Sequence, residues 1–139
     1  MLVKEVMTKS VVTINSTQSV FDACMLYKEK KVGCLVVVEK GKSVGIVTER
    51  DLIEKTICQR KNPETTPITE VMSSDLKTVH PLDTVDKALE IMKEYKIKKL
   101  PVVQNDRMVG IITITDISDA RPDISRRFME SWVKADWKD

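Results

Sequence analysis

Displaced by 65 positions, the sequence overlays itself without a gap. Glu5-Val6-Met7 falls on Glu70-Val71-Met72, Thr13 on Thr78, Val20 on Val85 and Ala23 on Ala88. Lys28-Glu29 falls on Lys93-Glu94, Leu35 on Leu100 and Val37-Val38 on Val102-Val103. Val44-Gly45-Ile46 falls on Val109-Gly110-Ile111, Thr48 on Thr113 and Asp51 on Asp116. A duplicated chain builds its fold from two copies of one supersecondary unit. A copy of roughly 60 residues buries only a marginal core. The two copies are therefore expected to pack sheet to sheet about a pseudo-twofold axis. The expected boundaries are 1–61 for the first repeat, 62–68 for a linker with Pro63 and Pro67, 69–121 for the second repeat, and 122–139 for a tail.

Both copies have one local grammar, which predicts an α/β (α+β) class with β-α-β-β-α repeats. A short lead ending in Thr and a β-branched residue precedes a helix. In the second copy Val85, Ala88, Leu89 and Met92 recur at i, i+3, i+4 and i+7, an amphipathic spacing. Asp83 or Thr84 is the expected cap there, and Ser16 or Thr17 in the first copy. Two apolar runs follow in each copy, LVVV with VGIV and LPVV with VGII. They predict hairpins turning at Gly41 and at Asn105-Asp106. A second helix starts at Thr48 and again near Thr113.

Composition removes several classes. Lys and Arg number 23 and Asp and Glu 21, a net charge of +2. Residues 1–61 carry 11 basic and 7 acidic groups (+4), and the rest 12 and 14 (−2). That balance argues against a nucleic-acid binder with one basic face. The apolar runs are far too short to span a membrane. The N-terminus MLVKEVMTKS has no signal-peptide core, so a cytoplasmic location is expected. Cys24, Cys34 and Cys58 have no metal or redox spacing and read as small buried thiols in a reducing compartment. With one histidine, His80, there is no set for a metal site. No nucleophile elbow or Walker-type phosphate loop is present, so no enzyme is expected.

The repeated polar residues lie in GIVTERD (45–51) and GIITITD (110–116). Each places a Thr and an Asp, three apart, at the junction of a strand and a helix. A helix N-terminus suits a phosphate. A carboxylate one turn on can accept from both hydroxyls of a ribose. The same spacing also fits a capping box, in which both residues only satisfy backbone N–H groups. Spacing alone leaves the two readings open.

The full pattern resembles a tandem pair of cystathionine β-synthase (CBS) domains, a Bateman module, from Val3 to about Ala120. The resemblance rests on VMT and VMS, VVTI and LKTV, VGCLVVV and IKKLPVV, and the two Gly-x-x-Thr-x-x-Asp motifs, each twice and in order. It implies a non-catalytic regulatory module that needs no cofactor. The ligand would be AMP, ADP, ATP or S-adenosylmethionine, bound in clefts between the repeats. Carried over, Asp51 and Asp116 hold the ribose, with Thr48 and Thr113 beside them. Thr13-Ile14 and Thr78-Val79 contact the base. Gly33, Cys34 and Val36, and Lys99, Leu100, Pro101 and Val102, line the base pocket. Arg50 is placed for a phosphate, with Lys99 a second candidate. Thr115 stands where the first copy has Arg50, and Lys98-Lys99 where it has Gly33-Cys34, so the two clefts are not expected to be equivalent; His80, which matches Asn15, reads as a base-pocket neighbour or plain surface.

The family commonly dimerises through its helices. Phe21 and Met25 form an apolar stripe where the second copy has Asp86 and Glu90, which points to a homodimer. In the tail, Ile124, Phe128 and Trp132 follow a helical spacing after Asp123, a candidate cap, and suit packing on the module, on its mate or on another protein. The competing readings are an interaction scaffold with vestigial clefts and a nucleic-acid-binding CBS protein.

Overall fold

The computed structural model describes residues 1–123. The amphipathic helix expected from Ile124 onward lies outside the described residues. The chain forms two compact units, one of Val11–Leu76 and one joining Met1–Ser10 to the chain from Lys77 onward. The units do not follow the sequence boundaries at 1–61 and 69–121. Each repeat lends its lead to the unit containing the other repeat's body.

The unit of Val11–Leu76 contains β1 (Thr13–Asn15), α2 (Val20–Lys30), β2 (Cys34–Glu39), β3 (Lys42–Thr48) and α3 (Glu49–Leu52). α3 runs on into one π-helical turn, Ile53–Ile57, and a 3-10 turn, Ile68–Glu70, follows later. The sheet order is β1-β2-β3, with β1 parallel and β3 antiparallel to β2. Ser19 caps α2, its Oγ accepting from the Asp22 N–H at 3.2 Å while Asp22 Oδ2 accepts from the Ser19 N–H at 3.0 Å. The cap thus falls later than Ser16 or Thr17. Asp22 at the third helical position gives Ser19 a reciprocal partner, whereas Thr17 is held in the preceding turn by Asn15 Oδ1. Ile14, Val20, Ala23, Leu35, Val37 and Val47 form the core between α2 and one sheet face.

The other unit contains α1 (Val3–Val6), α4 (Val85–Tyr95), β4 (Lys99–Gln104), β5 (Arg107–Thr113) and α5 (Ile114–Ala120). Thr84 caps α4. Its expected apolar positions Val85, Ala88, Leu89 and Met92 are all buried, against Val79, Leu100, Val102 and Ile112. Here the first strand of the repeat shrinks to one bridge, Val79 with Val102. Pro101 is the reason. It stands where Val36 stands in the first repeat, and Val36 donates its N–H to the Val12 carbonyl at 2.9 Å. Proline has no N–H to give, so the ladder cannot extend back past Val79.

Both hairpins turn where expected. Lys40 and Gly41 have φ of 50° and 80°, and Asn105 and Asp106 have 54° and 62°. Two consecutive positive φ values suit the twist of a two-residue hairpin. Of the cysteines only Cys34 is buried; Cys24 and Cys58 are exposed, because they sit on the outer faces of helical turns rather than in the sheet. Among the described residues, no helix is long and apolar enough to cross a membrane.

Candidate functional site

The strand alternation decides which side chains can meet a ligand. In one unit Ile14, Leu35, Val37 and Val47 fill the core, so Thr13, Cys34, Val36 and Thr48 lie on the opposite sheet face. Thr13 is in register with Val36, and Cys34 with Thr48. In the other unit Leu100, Val102 and Ile112 fill the core, which leaves Lys99, Pro101 and Thr113 on the far face, with Lys99 opposite Thr113. Thr78 precedes the core residue Val79 and alternates to that same face.

Thr48 and Thr113 each cap the helix that follows, and Asp51 and Asp116 close the two caps from the other side. Thr48 Oγ1 accepts from the Asp51 N–H at 3.2 Å, and Asp51 Oδ2 accepts from the Thr48 N–H at 3.0 Å. Thr113 and Asp116 repeat this at 3.0 Å in both directions. The capping box is therefore formed twice. It does not exclude the ligand reading, because it occupies one oxygen of each carboxylate, and an ionised carboxylate can accept about four hydrogen bonds. It fixes the Asp at the end of that face with acceptor capacity to spare.

The outer oxygens differ. Asp51 Oδ1 is 3.1 Å from Lys55 Nζ, which also donates to the Val71 carbonyl at 3.2 Å. Asp116 has the Thr8 hydroxyl 3.4 Å from each oxygen, a long contact. Tyr27 is a neighbour that sequence reasoning missed. Its hydroxyl donates to the Val47 carbonyl at 2.7 Å. Burial pushes the phenol well above its usual range, and the nearby carboxylates of Glu49 and Asp51 add to the shift. The signal was available: Tyr27 replaces Met92 on an otherwise apolar helix face.

The remaining expected site residues are placed as follows. Ile14, Val79, Leu100 and Val102 turn their side chains into the two cores. Gly33 is exposed at the start of β2. Arg50 is exposed, and its Nε donates to Glu54 Oε1 at 2.8 Å along its own helix. Thr115 is exposed on α5, where its carbonyl accepts from the Ser118 hydroxyl. His80 shapes the turn before α4: its N–H donates to Asp83 Oδ2 at 2.8 Å, and its Nδ1 accepts from the Leu82 N–H at 3.0 Å. Among the described residues, no three His, Cys, Asp or Glu side chains gather as metal ligands.

A family profile for the CBS domain matches twice, over residues 3–57 and 68–123. The chain is 34% identical over 116 residues to the CBS domain-containing protein YhcV of Bacillus subtilis, covering 84% of this chain and 82% of that one. Against two archaeal proteins it spans less of the relative, 62% and 64%. Among solved structures, the CBS domain pair of protein MJ0100, in complex with 5′-methylthioadenosine and S-adenosylmethionine, matches at a TM-score of 0.75 and 33% identity, covering 88% of this chain and 97% of that one. A hexameric CBS-CP12 protein from bloom-forming cyanobacteria matches at 0.74 and 34% identity, with 84% and 66% covered.

Proposed function

Because the chain belongs to the CBS domain family, we propose that it is a regulatory module that binds adenosine-type ligands at the two Thr–Asp sites and acts without catalysis. The observation that carries this reading is the repetition of one arrangement. In both units a helix-capping Thr and the Asp that closes the cap stand at the end of the sheet face turned away from the core, with carboxylate capacity left over. An adenosine moiety offers two ribose hydroxyls to such a carboxylate. The ligands of the MJ0100 pair belong to the same chemical class and support the choice.

Asp51 and Asp116 hold the ribose, with Thr48 and Thr113 beside them. Thr13 and Thr78 flank the base, and Cys34 and Val36, or Lys99 and Pro101, form its floor. AMP, ADP, ATP and S-adenosylmethionine are the ligands to try, at micromolar affinity, on the order of −8 kcal/mol. Binding regulates only by favouring one of two states of the protein or of its partner complex. Cys24, Cys34 and Cys58 form no disulfide, which fits a reducing compartment such as the cytoplasm.

The module works as a homodimer. Phe21 and Met25 on α2 are 44% and 39% exposed, and Ile53 and Ile57 on the π-helical turn are 55% and 62% exposed. Four large apolar side chains exposed on neighbouring helical elements are a surface that association would cover. This observation also favours the second reading, a scaffold whose sites are vestigial.

Thermal unfolding against a ligand panel tests the main reading. A ligand at a hundred times its Kd stabilises the native state by about 2.7 kcal/mol. A clear rise in Tm with at least one adenosine compound is expected. No rise with any of AMP, ADP, ATP, S-adenosylmethionine or 5′-methylthioadenosine would leave the scaffold reading in its place.

A further inference from the structure

The outer helical faces of the two repeats differ at every large apolar position. In the unit of Val11–Leu76, Phe21 and Met25 stand one turn apart on α2, and Ile53 and Ile57 on the π-helical turn; all four are exposed. Cys24, between Phe21 and Met25 in the chain, is exposed as well. Displaced by 65, the four apolar positions carry Asp86, Glu90, Ser118 and Pro122. Asp86 and Glu90 are exposed on α4 of the other unit.

The charges beside the first face are closed on their own helices. Arg50 Nε donates to Glu54 Oε1 at 2.8 Å, and Lys55 Nζ lies 3.1 Å from Asp51 Oδ1. Asp22 is held in the Ser19 cap. Covering Phe21, Met25, Ile53 and Ile57 therefore strands none of these groups. The face of α4 is different. The Asp86 side chain is 78% exposed, and its ion pair with Arg121 is long, 3.6 Å, because Arg121 also pairs with Asp123 at 3.0 Å. Covering that face would take the Asp86 and Glu90 carboxylates out of water, which is costly unless each finds a partner.

Resting on the homodimer reading of the preceding subsection, we infer that the occupant of the Phe21–Met25–Ile53–Ile57 face is the same face of a second copy, while the Asp86–Glu90 face stays in water. A twofold contact sets one patch against itself, so the patch must be complementary to itself. An apolar patch without an unpaired charge meets that condition. Phe and Met are also enriched at interface cores, where Asp and Glu are depleted. The two other pairings are disfavoured. First face against second sets Phe21 and Met25 on carboxylates. Second against second sets like charge on like charge. Pairing of first with first brings the two Cys24 thiols to one interface, within the span of a bismaleimide.

The test uses the full chain carrying Cys58→Ser, which leaves Cys24 as its exposed cysteine, with a bismaleimide as probe. A covalent dimer joined through Cys24 and the partner subunit's Cys24 is expected, identified by mass spectrometry of the linked peptides. In sedimentation equilibrium, Met25→Glu weakens dimerisation about tenfold or more, the scale of an unpaired charge in an interface core. Asp86→Ala/Glu90→Ala changes it less than about twofold, a surface effect. Circular dichroism checks that each variant is folded. The inference is overturned if the chain dimerises without the Cys24 link, or if Asp86→Ala/Glu90→Ala strengthens the dimer severalfold, as removal of carboxylates from the interface would. If the wild type sediments as a monomer, the homodimer reading itself fails and this pairing falls with it.

Discussion

Met7 seals the face of Gly110. A Cβ placed on Gly110 would stand 2.8 Å from Met7 Sδ and 2.8 Å from the Thr8 carbonyl. The same contact recurs one repeat apart, where a Cβ on Gly45 would stand 2.7 Å from Met72 Sδ and 3.0 Å from the Ser73 carbonyl. Thr8 exchanges both backbone hydrogen bonds with Ile111, and Ser73 with Ile46, so neither lead segment can yield freely. Glycine is required here for close approach. Gly110→Ala is expected to destabilise the chain by about 1–3 kcal/mol in urea unfolding, the usual range for overpacking. An unchanged urea midpoint would mean that the lead does not hold its position in solution.

Thr56 lies in the π-helical turn, fully buried, and its hydroxyl has no hydrogen-bond partner. A buried unpaired hydroxyl costs about 1–3 kcal/mol, and an apolar group of the same shape removes that cost. Thr56→Val is therefore expected to raise stability, by about 1 kcal/mol in chemical denaturation. A loss of stability would show that the hydroxyl is satisfied in solution.

Phe21 and Met25 have acidic counterparts, Asp86 and Glu90, in the second repeat. Replacing Phe21 and Met25 by Asp and Glu transplants that surface. Light scattering at tens of micromolar should show a dimer for the wild type and a monomer for the double variant, with the circular dichroism unchanged. A wild-type monomer contradicts the dimer.

Asp83 is held below the usual aspartate range, chiefly by the backbone N–H of His80 and further by Lys87. A carboxyl whose pKa falls on folding stabilises the native state above its unfolded value, about 3.9, and loses that contribution as pH drops through the lower folded value. Asp83→Asn should reduce stability at pH 7 and make little difference near pH 2. An equal loss at both pH values would assign the effect to packing rather than to charge.

The duplication, the hairpins and the α4 face were legible because they depend on local periodicity and turn chemistry. Ser19 was not identified as the cap because Ser16, Thr17 and Ser19 all offer a hydroxyl, and only Asp22 at the right distance decides among them. The truncated first strand of the second repeat was legible in Pro101 once the partner of its nitrogen was known; that partner lies more than twenty residues away. The exchange of leads was not legible at all. Repeat alignment pairs Met7 with Met72, whereas packing pairs Met7 with Gly110. At the site, Thr48, Asp51, Thr113 and Asp116 were readable as a motif, and Tyr27 only as a polar exception on an otherwise apolar helix face. The pairing of Lys55 with Asp51 follows the i, i+4 helix spacing, whereas the partner of Tyr27, the Val47 carbonyl, is set only by the fold.

Calorimetric titration of AMP, ADP, ATP, S-adenosylmethionine and 5′-methylthioadenosine into the wild type and into Asp51→Asn/Asp116→Asn measures whether the two carboxylates hold an adenosine-type ligand. Asparagine keeps an oxygen for the Thr48 and Thr113 N–H groups, so both caps survive while the charge is lost. Saturable binding of at least one compound at micromolar Kd, abolished in the double variant, is the predicted result. Undiminished binding in the double variant, or no heat from any compound with the wild type, would mean that Asp51 and Asp116 hold no such ligand.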